Sequence, residues 1–245
     1  MLAAPADGCY QLLGTPMELA MAPLALSAVK FKPEDLRIAS IMGRTSIGPV
    51  VHKDIPANDV DELLAWAKGK RLSYASIGQG SLYHIMGEQF RAQSGLDLSH
   101  VPYKAATQIF TDLGGGAVDM SFTPLAGPLF GLIREGRFKL IGVSSPQPHR
   151  QFPEVAAISP HRMFPGFNFD IWVGIQVHRS TPETVVQRIN RAMNEAVQVD
   201  SYKTGVAATG GMVPSSMTMA ELDRFYYGEI ERFRALFKAA KVEPQ

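Results

Sequence analysis

Between Leu72 and Phe90 the chain reads Leu-Ser-Tyr-Ala-Ser-Ile-Gly-Gln-Gly-Ser-Leu-Tyr-His-Ile-Met-Gly-Glu-Gln-Phe, in the order strand, glycine loop, helix. Tyr74 and Ile77 favour an extended segment, and Gly78 and Gly80 allow a backbone too tight, or too close to a ligand, for a side chain. Ser81 stands where an N-cap belongs. Leu82, Ile85, Met86 and Phe90 then recur at helical spacing, and Gly95 is placed to stop the helix. A helix that starts behind a glycine loop presents free N–H groups and a positive dipole end to an anion. An ordinary strand-to-helix turn of an α/β domain has the same pattern, so both readings stay open on these residues alone.

At 245 residues and 46% hydrophobic content, the chain is long enough for one large domain or two smaller ones. Lys plus Arg number 24 against 23 Asp plus Glu, which supplies no basic field for phosphates and argues against a nucleic-acid partner. Cys9 is the one cysteine, so an internal disulfide and a cysteine-based metal cage are both excluded. No apolar run reaches the ~18 residues of a membrane span. Met1 to Ala6 lacks the cationic start and apolar core of a secretory signal.

In chain order, strands are expected at residues 9–13, 37–42 and 48–52, the last two separated by a polar loop around Arg44. A Met- and Ala-rich helix at 17–26 is interrupted by Pro23, and Asn58 or Asp59 caps a helix at 60–68 that Gly69 ends. Beyond the opening stretch the pattern gives strands at 98–103, 118–122, 138–143 and 172–177. It gives helices from 106 or 107 to 113, at 129–135, at 182–199 and at 220–240. Residues 146–169 have no clear period and read as irregular connection. Leu222, Phe225, Tyr226, Ile230, Phe233 and Phe237 form a core-facing stripe, and Trp172 reads more simply as core than as a stacking residue. The alternation predicts an α/β chain with mainly parallel pairing.

Two segments look alike. Gly48-Pro-Val-Val-His-Lys-Asp-Ile-Pro56 and Gly174-Ile-Gln-Val-His-Arg-Ser-Thr-Pro182 share the spacing of Gly, Val, His, a cation and Pro, as paired strands crossing between two domains would. The ordered set Gly78-Gln79-Gly80-Ser81, His84, Gly87-Glu88, Phe90, His100-Val101-Pro102-Tyr103-Lys104, Thr111-Asp112-Leu113, Val118-Asp119-Met120 and Phe122 resembles the Bug, or TctC, solute-binding proteins of tripartite tricarboxylate transporters. Ser144-Ser145, Pro153-Glu154-Val155, Pro165-Gly166-Phe167, Trp172, Gly174, Thr181-Pro182 and Arg188-Ile189-Asn190 continue the resemblance over nearly the whole chain.

The resemblance implies a type II periplasmic binding fold, two α/β domains joined by two crossing strands and closing over a small carboxylate. Domain one would be residues 1–50 and 178–245, and domain two residues 51–177. It implies a periplasmic receptor without catalysis, cofactor or metal, with membrane components of the transporter as partners. Its implied ligand groups are Ser76, Gly80, Ser81 and His84 in the glycine loop, Tyr103 and Lys104, then Ala106 and Thr107 at the next helix start. Thr123, where the family commonly carries an acid, and Thr15, at the carboxyl end of its strand in domain one, are further ligand candidates, and Ala105 stands where the family usually has glycine. Because the chain begins where the family's second strand would be, the first strand and its loop are expected to be missing and binding to be weak or absent.

Other classes fit less well. A serine hydrolase would want Gly-x-Ser-x-Gly, which Gly80-Ser81-Leu82 does not supply. His84 and Glu88 lie one helical turn apart, but no second His completes a metal pattern. The effector-sensing domain of LysR-type regulators shares the broad fold, but no helix-turn-helix accompanies it here. The alternative carried forward is a truncated module acting as a ligand sensor or as a homodimer paired through an exposed edge.

Overall fold

The computed structural model describes residues 1–244. The chain divides into two compact units, unit 1 of residues 1–45 and 171–245 and unit 2 of residues 46–170. The expected division fell at 50/51 and 177/178. Two strands carry the chain across the boundaries, β2 (Leu36–His52) outward and β7 (Asp170–His178) on the return. Gly48 lies in β2 and Gly174 in β7, and both are sites of close approach. A Cβ on Gly174 would stand 2.6 Å from the Ser40 carbonyl oxygen, and one on Gly48 would stand 2.7 Å from that of Gly142.

In unit 1, β1 (Leu12–Gly14) pairs antiparallel with β7, placing Leu13 opposite Ile175. A π-helical turn at Met17–Met21 leads into α1 (Ala22–Ala25), where Pro23 sits in the first turn and is tolerated. The helices α6 (Glu183–Val197), α7 (Asp200–Ala208) and α8 (Met219–Ala240) follow β7. Leu222, Tyr226 and Ile230 of α8 pack with Ile38, Ile41, Trp172 and Val186 into one core. Trp172 is fully buried, edge-on to Phe225 and Tyr226, and donates from Nε1 to Glu229 Oε2 at 3.1 Å. It is a core residue whose polar atom has a partner. Thr218 and Glu221 form a reciprocal cap that starts α8.

Unit 2 contains α2 (Val60–Ala67), β3 (Arg71–Ser76), α3 (Leu82–Ser94), β4 (Asp97–Pro102), α4 (Ala106–Gly114), β5 (Met120–Pro124), α5 (Leu129–Arg134) and β6 (Phe138–Leu140). Its strands β3, β4 and β5 are parallel, with Tyr74 opposite His100 on one side and Met120 on the other. The segment 146–169 has no repeating element, yet it buries Phe152, Ile158, Phe164, Phe167 and Phe169. Phe164 stacks on Phe90 of α3 at 4.8 Å.

Two expectations are corrected, and one helix escaped the sequence reading. The polar stretch around Arg44 is not a loop, because Arg44 and Met212 exchange N–H and C=O bonds at 2.8 Å and the Arg44 guanidinium lies over the Phe225 ring. With its backbone paired, β2 continues unbroken through it. The pairing is mixed rather than mainly parallel: β2 runs antiparallel to both β5 and β6, and β1 to β7, since the strands that cross between units run against those made by βα turns. Finally, α7 buries none of its residues and so has no apolar stripe for periodicity to detect.

Candidate functional site

The carboxyl ends of β3, β4 and β5 lie side by side in unit 2, and most of the expected ligand residues sit there. The first loop joins β3 to α3. Gly78 (φ 112°) and Gly80 (φ 75°) take left-handed conformations that L side chains avoid. Ser81 caps α3, accepting from His84 N–H at 3.3 Å and donating to the Gly78 carbonyl at 2.7 Å. Its hydroxyl therefore shapes the loop, and the first-turn N–H groups of Leu82 and Tyr83 are those a helix start leaves without an intrahelical acceptor. Gly95, with φ 70°, ends α3.

Beneath the loop is a polar network. Ser76 is fully buried; its Oγ lies 3.0 Å from the Gly78 carbonyl, accepts from Gly78 N–H at 3.2 Å and is 2.7 Å from His100 Nε2. His84, 7% exposed, accepts the Gly80 N–H on Nδ1 at 3.0 Å. The His84 and His100 rings stack at 4.1 Å. Tyr74, whose ring lies 5.0 Å from that of His100, donates to Glu88 Oε1 at 2.7 Å, and Arg91 holds Glu88 Oε2 at 2.5 Å. Gly87 makes this packing possible, because a Cβ there would come within 2.1 Å of the Tyr74 ring.

Burial pushes the His100 imidazole down to about 4, with His84 adding to the effect. Burial also lowers His84, opposed by the Glu88 charge. Burial works against ionising Glu88, but hydrogen bonds from Arg91 and Tyr74 outweigh it and hold the carboxyl below its usual range. Burial, then Glu88, raises the Tyr74 phenol. At neutral pH the network thus has two neutral imidazoles and one carboxylate with both oxygens engaged.

The second loop follows β4. Tyr103 N–H donates to the Ser76 carbonyl at 2.8 Å, tying the two loops together, and Tyr103 Oη donates to Asp112 at 2.7 Å. Burial and then Asp112 push that phenol up to about 12. Lys104, Ala106 and Thr107 are exposed, and Ala105, the N-cap of α4, makes no side-chain cap. The start of α4 therefore has its positive end open. Thr123, on β5, is buried and its Oγ1 lies 3.4 Å from Ser121 Oγ. Thr15 belongs to unit 1, where its N–H and hydroxyl both donate to Glu18 Oε2 and close the turn before the π-helix.

The network brings together Ser76, Gly80, Ser81 and His84, and also includes Tyr74, Glu88 and His100, absent from the expected ligand set. His84 faces the Gly80 amide from below, and among the described residues no group of three His, Cys, Asp or Glu could hold a metal. A cavity of ≈ 590 Å³ lies elsewhere in unit 2, lined by Lys68, Lys70, Arg71 and Asp97 at the amino ends of β3 and β4. We place the candidate site at the carboxyl ends, where βα loops converge on ligands in open α/β sheets.

The profile of the tripartite tricarboxylate transporter family receptor matches residues 1–242. The chain belongs to that receptor family. A protein from the tcbD-tcbE intergenic region of Pseudomonas sp. (strain P51) is 31% identical over 193 residues, covering 76% of this chain and 56% of the relative, so the chain spans little more than half of that relative. An R. palustris protein solved with adipate superposes with a TM-score of 0.82 at 23% identity, covering 100% of this chain and 82% of the other. The periplasmic binding protein BugD superposes with a TM-score of 0.79 at 22% identity, with the same coverage. At those identities the superpositions establish the fold, an α/β receptor fold of the Bug and TctC type, and the family is one of receptors, not enzymes.

Proposed function

We propose that this receptor chain captures a small dicarboxylate or tricarboxylate at the β3–α3 and β4–α4 loops of unit 2, in the periplasm, for the membrane components of a tripartite tricarboxylate transporter. The observation that carries this reading is the pair of adjacent helix starts, α3 behind Gly78 and Gly80 and α4 without a side-chain cap beside exposed Lys104. Ser76, Gly80, Ser81, His84 and Tyr103 hold the two loops. Exposed Ala106 and Thr107 offer N–H groups and Lys104 offers a cation, while the start of α3, where Leu82 is fully buried, contributes its positive dipole end. The solved relative with adipate favours the dicarboxylate class.

Calorimetric titration with adipate, set against its uncharged diamide, tests the reading. Adipate is expected to bind, weakly as a site formed by unit 2 loops alone would, and the diamide not to. Lys104→Met is expected to weaken adipate about two- to fivefold, as loss of one solvent-screened charge contact of roughly 0.5–1 kcal/mol would. That difference should shrink as salt is raised. Equal binding of adipate and diamide would sink the proposal.

A further inference from the structure

The His84–His100 stack lies in a position to do more than fill space. Gly80 N–H points at His84 Nδ1, so that nitrogen must keep its lone pair for the bond to exist. Protonated, Nδ1 would set one N–H against another across 3.0 Å, and the only backbone amide bond made by a side chain to Gly80 would be lost. His100 meets the same loop through Ser76, whose hydroxyl touches both the N–H and the C=O of Gly78. The two rings are 4.1 Å apart, so charging one disfavours charging the other, and charging both places two cations face to face.

The groups around the pair relieve this only in part, through the Glu88 charge. From β3, Tyr74 presents its ring to His100, and its Oη is within 3.4 Å of the His84 carbonyl oxygen. From α3, Glu88 is the nearest anion, but Tyr74 and Arg91 occupy its two oxygens, and Arg91 brings a compensating positive charge. The remaining neighbours, Ser76 and Ser81, are neutral hydroxyls already joined to Gly78.

We propose that His84 is a positioning residue of the glycine loop, and that protonation of the His84–His100 pair opens the loop and releases a bound carboxylate. The release half rests on the carboxylate reading above; the loop half does not. The direction follows from the native pair being neutral. An open loop exposes imidazoles that ionise near 6.5, while the closed loop holds His100 down to about 4. The closed form is therefore favoured above pH ~6.5 and loses ground as pH falls toward ~4.

The test is the pH dependence of two signals in the full chain. Hydrogen exchange and chemical shift of the Gly80 amide, followed with the His84 ring nitrogens by NMR, report the loop without ligand. Adipate affinity at about pH 7.5 and about pH 5 reports release. Gly80 protection is expected to disappear with the same midpoint as His84 protonation, and affinity to fall at least about tenfold over that range. His84→Asn returns a non-titrating acceptor near the Nδ1 position. In that variant Gly80 protection should persist at pH 5 and the ratio of affinities should flatten; protonation of adipate itself is common to both proteins and cancels. Gly80 protection that survives His84 protonation, or a His84→Asn protein with the full pH dependence, overturns the proposal. If adipate binds at neither pH while Gly80 still follows His84, the loop half stands and the carboxylate reading falls.

Discussion

Trp172→Ala is expected to destabilise unit 1 by about 3–5 kcal/mol, the cost of removing a large, fully buried aromatic side chain. The indole fills the space between β7 and α8, edge-on to Phe225 and Tyr226, and its loss leaves Glu229 Oε2 without its Nε1–H donor. Against a typical domain stability of about 5–15 kcal/mol, this is a large fraction. Trp172→Phe keeps one aromatic ring but removes the donor and part of the buried volume, so it should cost less than Trp172→Ala, about 1–3 kcal/mol. Urea unfolding followed by circular dichroism measures both. Because the chain has 2 tryptophans, Trp66 of unit 2 remains as a fluorescent reporter in either variant. A loss below about 1 kcal/mol for Trp172→Ala would contradict the central place of this residue in the core.

Gly78→Val is expected to reduce ligand affinity about fivefold to a hundredfold while leaving the secondary structure intact. At φ 112° a β-branched residue is strained by about 1–3 kcal/mol, although nothing lies within 4 Å of a Cβ built there. The penalty is therefore conformational, and the loop can escape it by leaving the geometry in which Ser76 and Ser81 hold the Gly78 carbonyl. Gly166→Val provides the control, since Gly166 (φ 71°) is equally uncrowded and belongs to the same unit. It should lower the melting temperature to a similar degree without a comparable loss of affinity. Equal losses of affinity would mean that Gly78 acts through general stability alone.

Local signals made the glycine loop legible. Ser81 as N-cap, the left-handed glycines and the Gly95 stop are each encoded within a few residues of where they act, and the helix between them follows from its apolar spacing. The same holds for α8, with its Thr218–Glu221 cap and long apolar stripe. What escaped the sequence depends on distant partners. The continuity of β2 rests on Met212 bonding to Arg44 from the far end of the chain, and the mixed pairing rests on where β2 and β7 run relative to the βα units.

Within the site, Ser76, Gly80 and Ser81 were legible because they are neighbours. The partnership of His84 with His100 was not, because it needs the β3–β4 register that sets Tyr74 opposite His100. The i to i+4 spacing of Gly80, His84 and Glu88 was a readable hint of it. Thr15, read as a ligand group from its place at a strand end, proved to have a local acceptor three residues on, in Glu18. A Thr-x-x-Glu pattern at a helix start announces such a cap.

The central claim, that a carboxylate is received at the carboxyl ends of β3 and β4, is tested most directly by amide chemical-shift mapping during an adipate titration. Saturable shifts confined to residues 78–83 and 104–107 are the predicted result, and they can be read even at millimolar affinity. Shifts centred on the cavity at Lys68, Lys70 and Arg71, or no saturable shift in either loop, would contradict it.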